Sequence, residues 1–393
     1  MKYKLRQQVS SLEEVDFPEG ITELDCSRNQ LSSLRGCPET VINLNCSSNQ
    51  LLTLEGCPSK VVELYCSNNR LTTLEGCPSS VVKLFCDNNQ LTTLEDCPSS
   101  VINLNCSSNR FNSLITCPST VKELVCYRNH LTSLEGCPSS VRRLWCSHNH
   151  LTTLEGCPSS VEELDCLYNK LTNLEGCPSS VIKLDCSYNQ ITTLEGCPPF
   201  VRRLWCGSNR LLTLKGCPSS VVDLNCFFNQ LTTLEGCPSS AIKINCPYNR
   251  LTSLEGCSSS VVELKCLNNR LTTLEGCPSS VVELDCCDNQ LTTLIGCPST
   301  VKYLRYCNNR LIPEWNLPPE RILQKIRKYN DNREEAARKI QIKFFWYRLK
   351  QRSAARKIQK AWDLYWYKPN EEGESRAAKT GWKKLQDISN KTS

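Results

Sequence analysis

Long hydrophobic runs are missing from this chain. No stretch approaches the ~18 apolar residues that a membrane helix needs. The first twenty residues, MKYKLRQQVSSLEEVDFPEG, contain neither an apolar segment of signal-peptide length nor a small-residue cleavage site. Close C-x2-C pairs, which bring zinc ligands to one point, are also missing. So are a nucleophile–base arrangement, a phosphate-cradling loop and a carboxylate pair that stands out from its surroundings. Histidine is scarce, with 3 residues. These absences argue against an enzyme, a bound cofactor, a metal centre and a small-molecule substrate.

Cysteine is abundant instead: 30 residues in a chain whose apolar content is 39%. In a short secreted chain such a count announces a disulfide scaffold. Without a leader, the thiols are expected to persist in a reducing compartment, the cytoplasm of the cell or of a host cell. The net charge of +6 is unevenly spread. Residues 311–393 carry 20 Lys/Arg against 10 Asp/Glu, whereas residues 1–310 carry 26 against 30. Basic character belongs to the carboxyl-terminal part.

From Ile21 to Arg310 the sequence repeats every twenty residues without an insertion or deletion. Numbering each unit 1 to 20, so that position equals residue number modulo twenty, position 1 is Val or Ile with Ala241 as an exception. Position 4 is Leu (Ile244 once), position 6 is Cys from Cys26 to Cys286, and position 9 is Asn from Asn29 to Asn309. Positions 11 and 14 are Leu with rare swaps, position 16 is Gly except at Asp96 and Thr116, position 17 is Cys from Cys37 to Cys297, and position 18 is Pro except at Ser258. Alternation over positions 3–7 predicts a short strand with positions 4 and 6 inward and 3, 5 and 7 outward. The recurrent Asn is expected to satisfy backbone groups where the chain turns, building a ladder between neighbouring turns.

The pattern V-x-x-L-x-C-x-x-N-x-L-x-x-L-x-x-C-P resembles the leucine-rich repeat signature. The resemblance covers about three quarters of the chain in some fifteen units. It implies a solenoid horseshoe with a parallel β-sheet on its concave face, short extended or 3₁₀ convex segments, and a length of roughly 70 Å along the sheet. A carboxyl-terminal α-helical tail follows. The uninterrupted short units also resemble the twenty-residue repeats of bacterial effectors and, more closely, the Cys-rich repeat proteins of giant amoeba viruses. An effector-type ubiquitin ligase would need a further domain with its own cysteine nucleophile, and no cysteine follows residue 310. The domain reading is 1–20 as an amino-terminal capping half-repeat, 21–320 as the solenoid, 321–369 as a basic amphipathic helix, and 370–393 as a polar, disordered tail.

Positions 6 and 17 hold 28 of the cysteines. They read as small buried core residues. Disulfides between neighbouring strands and a metal stack are the alternatives. Cys287, at position 7, is expected to face outward and to be the candidate reactive thiol.

With the ladders as scaffold, function is expected where the units differ. Tyr127, Arg128, Arg143, Trp145, Tyr168, Tyr188, Arg203, Trp205, Phe227, Phe228 and Tyr248 fall at positions 3, 5, 7 and 8 of adjacent units. Trp and Tyr beside Arg is the composition of protein-binding hot spots. Arg143/Trp145 and Arg203/Trp205 bracket Glu163/Asp165 and Lys183/Asp185, a mixed-charge strip. His130, His148 and His150 cluster nearby and read as solvated polar substitutions, with a surface metal site as the alternative.

In the tail, AARKIQ occurs at 336–341 and 354–359, five helical turns apart, so both copies share one face. They resemble the IQ motif, which binds calmodulin or its relatives. Ile340, Gln341 and Lys350 match in the first copy and Ile358, Gln359 and Lys368 in the second, with Phe344 and Trp362 on the same apolar stripe. Phe345 and Asp363 stand where the motif has Arg, and Trp346 and Leu364 where it has Gly. The expectation is a monomeric, non-enzymatic scaffold that binds a protein on its concave face. A calmodulin-linked adaptor is the second reading, a helix capping the solenoid a third use of the tail, and a nucleic-acid partner is not expected.

Overall fold

The computed structural model describes residues 1–5 and 8–350. Its first compact unit, Met1–Ile326, is built on a sixteen-stranded parallel sheet whose spatial order is the sequence order. Strand β1 is Lys2–Lys4, and fifteen three-residue strands follow at positions 3–5 of each turn, from β2 (Glu23–Asp25) to β16 (Tyr303–Arg305). Those central to the site are β8 (Arg143–Trp145), β9 (Glu163–Asp165), β10 (Lys183–Asp185) and β11 (Arg203–Trp205). Register advances by twenty residues per strand throughout, as in Leu164↔Leu184↔Leu204. Only β1 slips, pairing Tyr3 with Leu24.

The strands end at position 5 because position 8 is left-handed in all fifteen turns, with φ from +48° to +60°. That conformation is held from the next turn: the Tyr168 amide donates to the Ser187 carbonyl at 3.1 Å and the Tyr188 amide to Gly207 at 2.9 Å. Position 7 therefore does not alternate outward. Ser107, Ser147 and Ser187 are buried there, and so is Cys287 at 6% exposure. This corrects the reading of Cys287 as a solvent-facing reactive thiol. It is joined in a disulfide to Cys307 of the following turn, with Cα atoms 4.6 Å apart.

Inside, positions 1, 4, 6, 11 and 14 form one continuous core, nearly all at 0% exposure. Each fully buried aliphatic side chain contributes about 1.5–3 kcal/mol. The polar seam beside this core is the asparagine ladder. Asn149 Nδ2 donates to the carbonyls of Cys126 (3.1 Å), Cys146 (3.0 Å) and Ser147 (3.2 Å), while its Oδ1 accepts from the Leu131 amide at 3.0 Å. One side chain thus satisfies backbone groups of two turns, which strand pairing cannot reach. The same set recurs at Asn169 and Asn189.

The 28 remaining cysteines are free. Position-6 thiols are buried, and many donate to the carbonyl of the next strand, as Cys146 Sγ does to Asp165 at 3.3 Å. Burial pushes them far above the ordinary thiol range, and it lifts position-17 thiols such as Cys157 and Cys197 to about 12, whereas a hydrogen bond with Cys257 lowers Cys237. The thiols so raised stay neutral near pH 7, the state that suits packing rather than reaction.

On the convex side the returns are extended segments and turns. Gly156 shows why position 16 is glycine: φ is +80°, and a Cβ would sit 2.7 Å from the Glu135 amide nitrogen of the preceding turn. At the two exceptions the side chains bond that preceding turn instead. Thr116 Oγ1 accepts from the Leu94 amide at 2.9 Å, and Asp96 accepts from the Thr73 hydroxyl.

After the last strand, a 3₁₀ turn (Pro313–Trp315) buries Trp315, and α1 (Pro319–Lys350) begins on a proline whose fixed φ suits a first helical turn. Ile322 and Ile326 of α1 enter the core, and Lys325 lies over the Trp315 ring at 4.5 Å. The Tyr306 hydroxyl, where the Cys ladder stops, donates to the Leu317 carbonyl. A second unit starts at Arg327. Within it α1 carries i,i+4 ion pairs Glu334–Arg338 (3.5 Å) and Glu335–Lys339 (3.1 Å). Gln341 is exposed, whereas the side chains of Ile340, Phe344 and Lys350, and Ile358, Gln359, Trp362 and Lys368 entirely, lie outside the described residues. So do the second IQ-like copy and the 370–393 tail.

Candidate protein-docking face

The turn chemistry that ends each strand lines up position 8 of every turn in one column along the sheet. In the amino-terminal half that column reads Ser48, Asn68, Asn88, Ser108. From repeat to repeat after Arg128 it becomes aromatic. His148 stacks on Tyr168 (centroids 4.5 Å apart) and Tyr168 on Tyr188 (4.1 Å). Farther along, Phe228 stacks on Tyr248 at 4.2 Å. These spacings approximate the distance between adjacent strands, so the backbone itself holds the rings in stacking range.

The gap between the two stacks, where position 8 is Ser208, is filled from position 7. Phe227 meets Tyr188 edge-on at 5.8 Å and Phe228 edge-on at 6.0 Å. Its ring occupies space that a side chain on residue 207 would need: a Cβ on Gly207 would fall 2.0 Å from it. Six rings thus run without a break from His148 to Tyr248, roughly 24 Å over five strand spacings. Tyr168, Tyr188, Phe228 and Tyr248 remain exposed. Burial, with Arg128 next, holds His148 below the usual imidazole range, so it joins the column as a neutral ring at pH 7.

Not every expected residue joins this column. Tyr127 is half-buried at position 7 and Arg128 exposed at position 8, one turn before His148. Trp145 and Trp205 lie on the strand face at position 5, three strands apart, half-buried and exposed respectively. Between them, in register, stand Asp165 and Asp185. Arg143 and Arg203 share the position-3 row with Glu163 and Lys183. Arg143 pairs with Glu123, and Lys183 with Glu163 at 2.6 Å. The mixed-charge strip is therefore largely neutralised along its position-3 row. His130 and His150 sit side by side with ring centroids 6.0 Å apart.

The position-5 row differs. Asp165 and Asp185 each accept one backbone amide through Oδ1, from Leu167 (3.1 Å) and Ser187 (2.9 Å), and neither has an ion-pair partner among the described residues. Burial, reinforced by the Asp185 charge and opposed by the Leu167 amide, lifts the Asp165 carboxyl to about 6. Burial likewise raises Asp185 against the Ser187 bonds.

Two features escaped the sequence reading. Gly207 makes room for Phe227, and its signal is the one glycine at a position otherwise occupied by larger residues. Tyr65 and Phe85 also stack at 4.6 Å on position 5 of β4 (Glu63–Tyr65) and β5 (Lys83–Phe85), visible in sequence as aromatics at one position in consecutive units.

No protein-family profile matches the sequence, and no curated protein does. Solved structures do match. YopM from Yersinia enterocolitica is 26% identical over 79% of each chain, with a TM-score of 0.60. The functional domain of InlJ from Listeria monocytogenes, which includes a cysteine ladder, is 24% identical over 69% of each chain, with a TM-score of 0.54. A leucine-rich-repeat protein of Leptospira interrogans is 20% identical, covering 83% of this chain and 99% of its own, with a TM-score of 0.52. Together with the register, the asparagine ladder and the twenty-residue period, these likenesses identify the fold as a leucine-rich-repeat solenoid with cysteines in its repeats.

Proposed function

We propose that the chain is a non-enzymatic interaction scaffold that docks a partner protein on the sheet face between β7 (Glu123–Val125) and β13 (Lys243–Asn245). The observation that carries this is the six-ring column. Bulky residues in the left-handed region cost about 1–2 kcal/mol each, a cost that Asn at the same position reduces. Tyr168, Tyr188, Phe228 and Tyr248 bear it at φ +48° to +54° and still leave rings exposed. Exposed aromatics concentrated in one zone mark docking surfaces. The solved relatives are leucine-rich-repeat proteins, which is consistent with a scaffold. The 28 free thiols favour a reducing compartment as part of the proposal, with the Cys287–Cys307 disulfide the one bond that runs against it.

The test is capture from the source cell with wild type, Tyr188→Ala and Gly207→Ala, the last of which displaces Phe227. A defined partner lost by both variants, with the fold intact by circular dichroism, is expected. An unchanged partner set overturns the reading.

A second reading attaches to α1, where residues 331–339 and Gln341 are all exposed, so the described side chains of the first AARKIQ copy are accessible to a calmodulin-like protein. Titrating a peptide of residues 330–370 with calmodulin, with and without calcium, decides it; no complex under either condition removes it.

A further inference from the structure

The position-5 row across β8–β11 reads Trp145, Asp165, Asp185, Trp205 in unbroken register. Several other carboxylates of the face have cations: Asp25 with Lys4 (2.9 Å), Glu63 with Lys83 (2.7 Å), Glu263 with Lys243 and Lys265 (2.9 and 2.6 Å), Asp285 with Arg305 (3.8 Å). Asp165 and Asp185 are adjacent, half-buried, and carry no such partner among the described residues. In the position-3 row beside them Lys183 is committed to Glu163 and Arg143 to Glu123, and Arg203 has no ion pair with either aspartate among the described residues.

We propose that this segment receives an arginine side chain of the docked protein, its guanidinium lying over the two carboxylates in the bay bounded by the two indoles. The inference rests on the scaffold reading and names the chemistry of its partner. Three observations select this occupant. First, each aspartate commits Oδ1 to a backbone amide and Asp185 also bonds the Ser187 side chain, which leaves Oδ2 of Asp165 and the remaining acceptor capacity of Asp185, about one strand spacing apart, for an incoming donor set. A guanidinium offers several donors in a planar fork and can serve two such acceptors at once. Second, the indoles stand three strand spacings apart, roughly 14 Å, so they bound the floor rather than clamp one ion. An indole face can stack a guanidinium plane. Third, two uncompensated carboxylates repel phosphate, which selects a basic protein segment over a nucleic acid or an anionic membrane. The ring column at Tyr168 and Tyr188 lies three positions along the same turns, so the backbone carrying the arginine would continue onto it.

The test uses the purified full chain and blocked peptides of sequence Gly-Ser-Gly-X-Gly-Ser-Gly, with X as arginine, citrulline or glutamate. Binding is followed by the indole N–H resonances of Trp145 and Trp205, assigned through Trp145→Phe and Trp205→Phe. The arginine peptide is expected to shift both signals and to bind about tenfold tighter than citrulline, which keeps the shape and loses the charge. Asp165→Asn with Asp185→Asn is expected to abolish that preference. If the double variant fails to fold, Asp185→Asn alone is read in the same way. Arginine and citrulline binding within twofold of each other, unmoved indole signals, or an unaffected variant would falsify the site. Should the peptides fail while Tyr188→Ala still loses the captured partner, the arginine bay falls and the scaffold reading stands.

Discussion

Two halves of one column sit on the same backbone and carry different side chains. At position 8, Ser48, Asn68, Asn88 and Ser108 occupy the left-handed conformation with φ from +51° to +60°, and Tyr168, Tyr188, Phe228 and Tyr248 occupy it at +48° to +54°. Asn adopts this region readily because its short amide bonds the local backbone, whereas a ring gains nothing comparable from its own turn. The aromatic half recovers part of the cost through stacking with the next turn, about 0.5–1.5 kcal/mol per pair. What differs between the halves is therefore not demanded by the fold. The asparagine ladder beneath is the same in both, with Asn69 and Asn149 each spanning two turns through their amide nitrogens.

The largest expected effect tests that sameness. Asn69→Ala and Asn149→Ala each strip donors from three carbonyls and an acceptor from a leucine amide. Losses of about 1–3 kcal/mol per abandoned buried group, partly relieved by water, predict a large drop in the denaturation midpoint for both. Unequal drops beyond twofold would show that the halves differ underneath as well.

A smaller effect separates the halves. Tyr168→Asn exchanges stacking for relief of backbone strain and is expected to change stability by less than about 1 kcal/mol, while Asn68→Tyr, with no ring at Ser48 or Asn88 to stack on, is expected to cost about 1–2 kcal/mol. Chemical denaturation reads both, and a Tyr168→Asn loss as large as that of Asn149→Ala would make the rings structural.

The smallest effect is a pH dependence confined to the ring half. Asp165 has a folded-state pKa of about 6, above the ordinary carboxylate value near ~3.9. The folded state thus binds this proton more tightly than the unfolded chain does. Its contribution favours folding below that window and is lost as pH rises through about 6. The groups facing it are Asp185 on β10 and the Glu163–Lys183 pair, and the pair adds little net charge. Asp165→Asn should therefore raise the melting temperature relative to wild type at pH 7.5 and not at pH 4.5. An equal difference at both pH values would contradict the burial argument.

Fold and site were unequally legible in the amino-acid sequence. The period, the parallel strands and the thiol ladders follow from residues that recur in nearly every unit, since a twenty-residue turn leaves few ways to bury Leu and Cys and to satisfy Asn. Individual side chains were harder. Alternation through position 7 fails because the left-handed residue at position 8 bends the chain, which hid Cys287 beneath the surface and against Cys307. Arg143 and Lys183 were legible as charges, but their quenching by Glu123 and Glu163 depends on which strand neighbour each side chain reaches. The continuity of the rings needed Phe227 to reach across a turn into space that Gly207 leaves open, a relation between residues twenty apart that no single unit displays.

The unvarying twenty-residue closure also governs how the molecule tolerates changes of length. Because each asparagine bonds the turn before it and each strand pairs at a fixed offset of twenty, a whole unit can be excised or duplicated and the flanking turns still meet their required partners. A change of any other length leaves a rung misaligned on both sides. Length is thus quantised, and every added quantum lengthens the exposed columns by one letter while the interior reads the same as before.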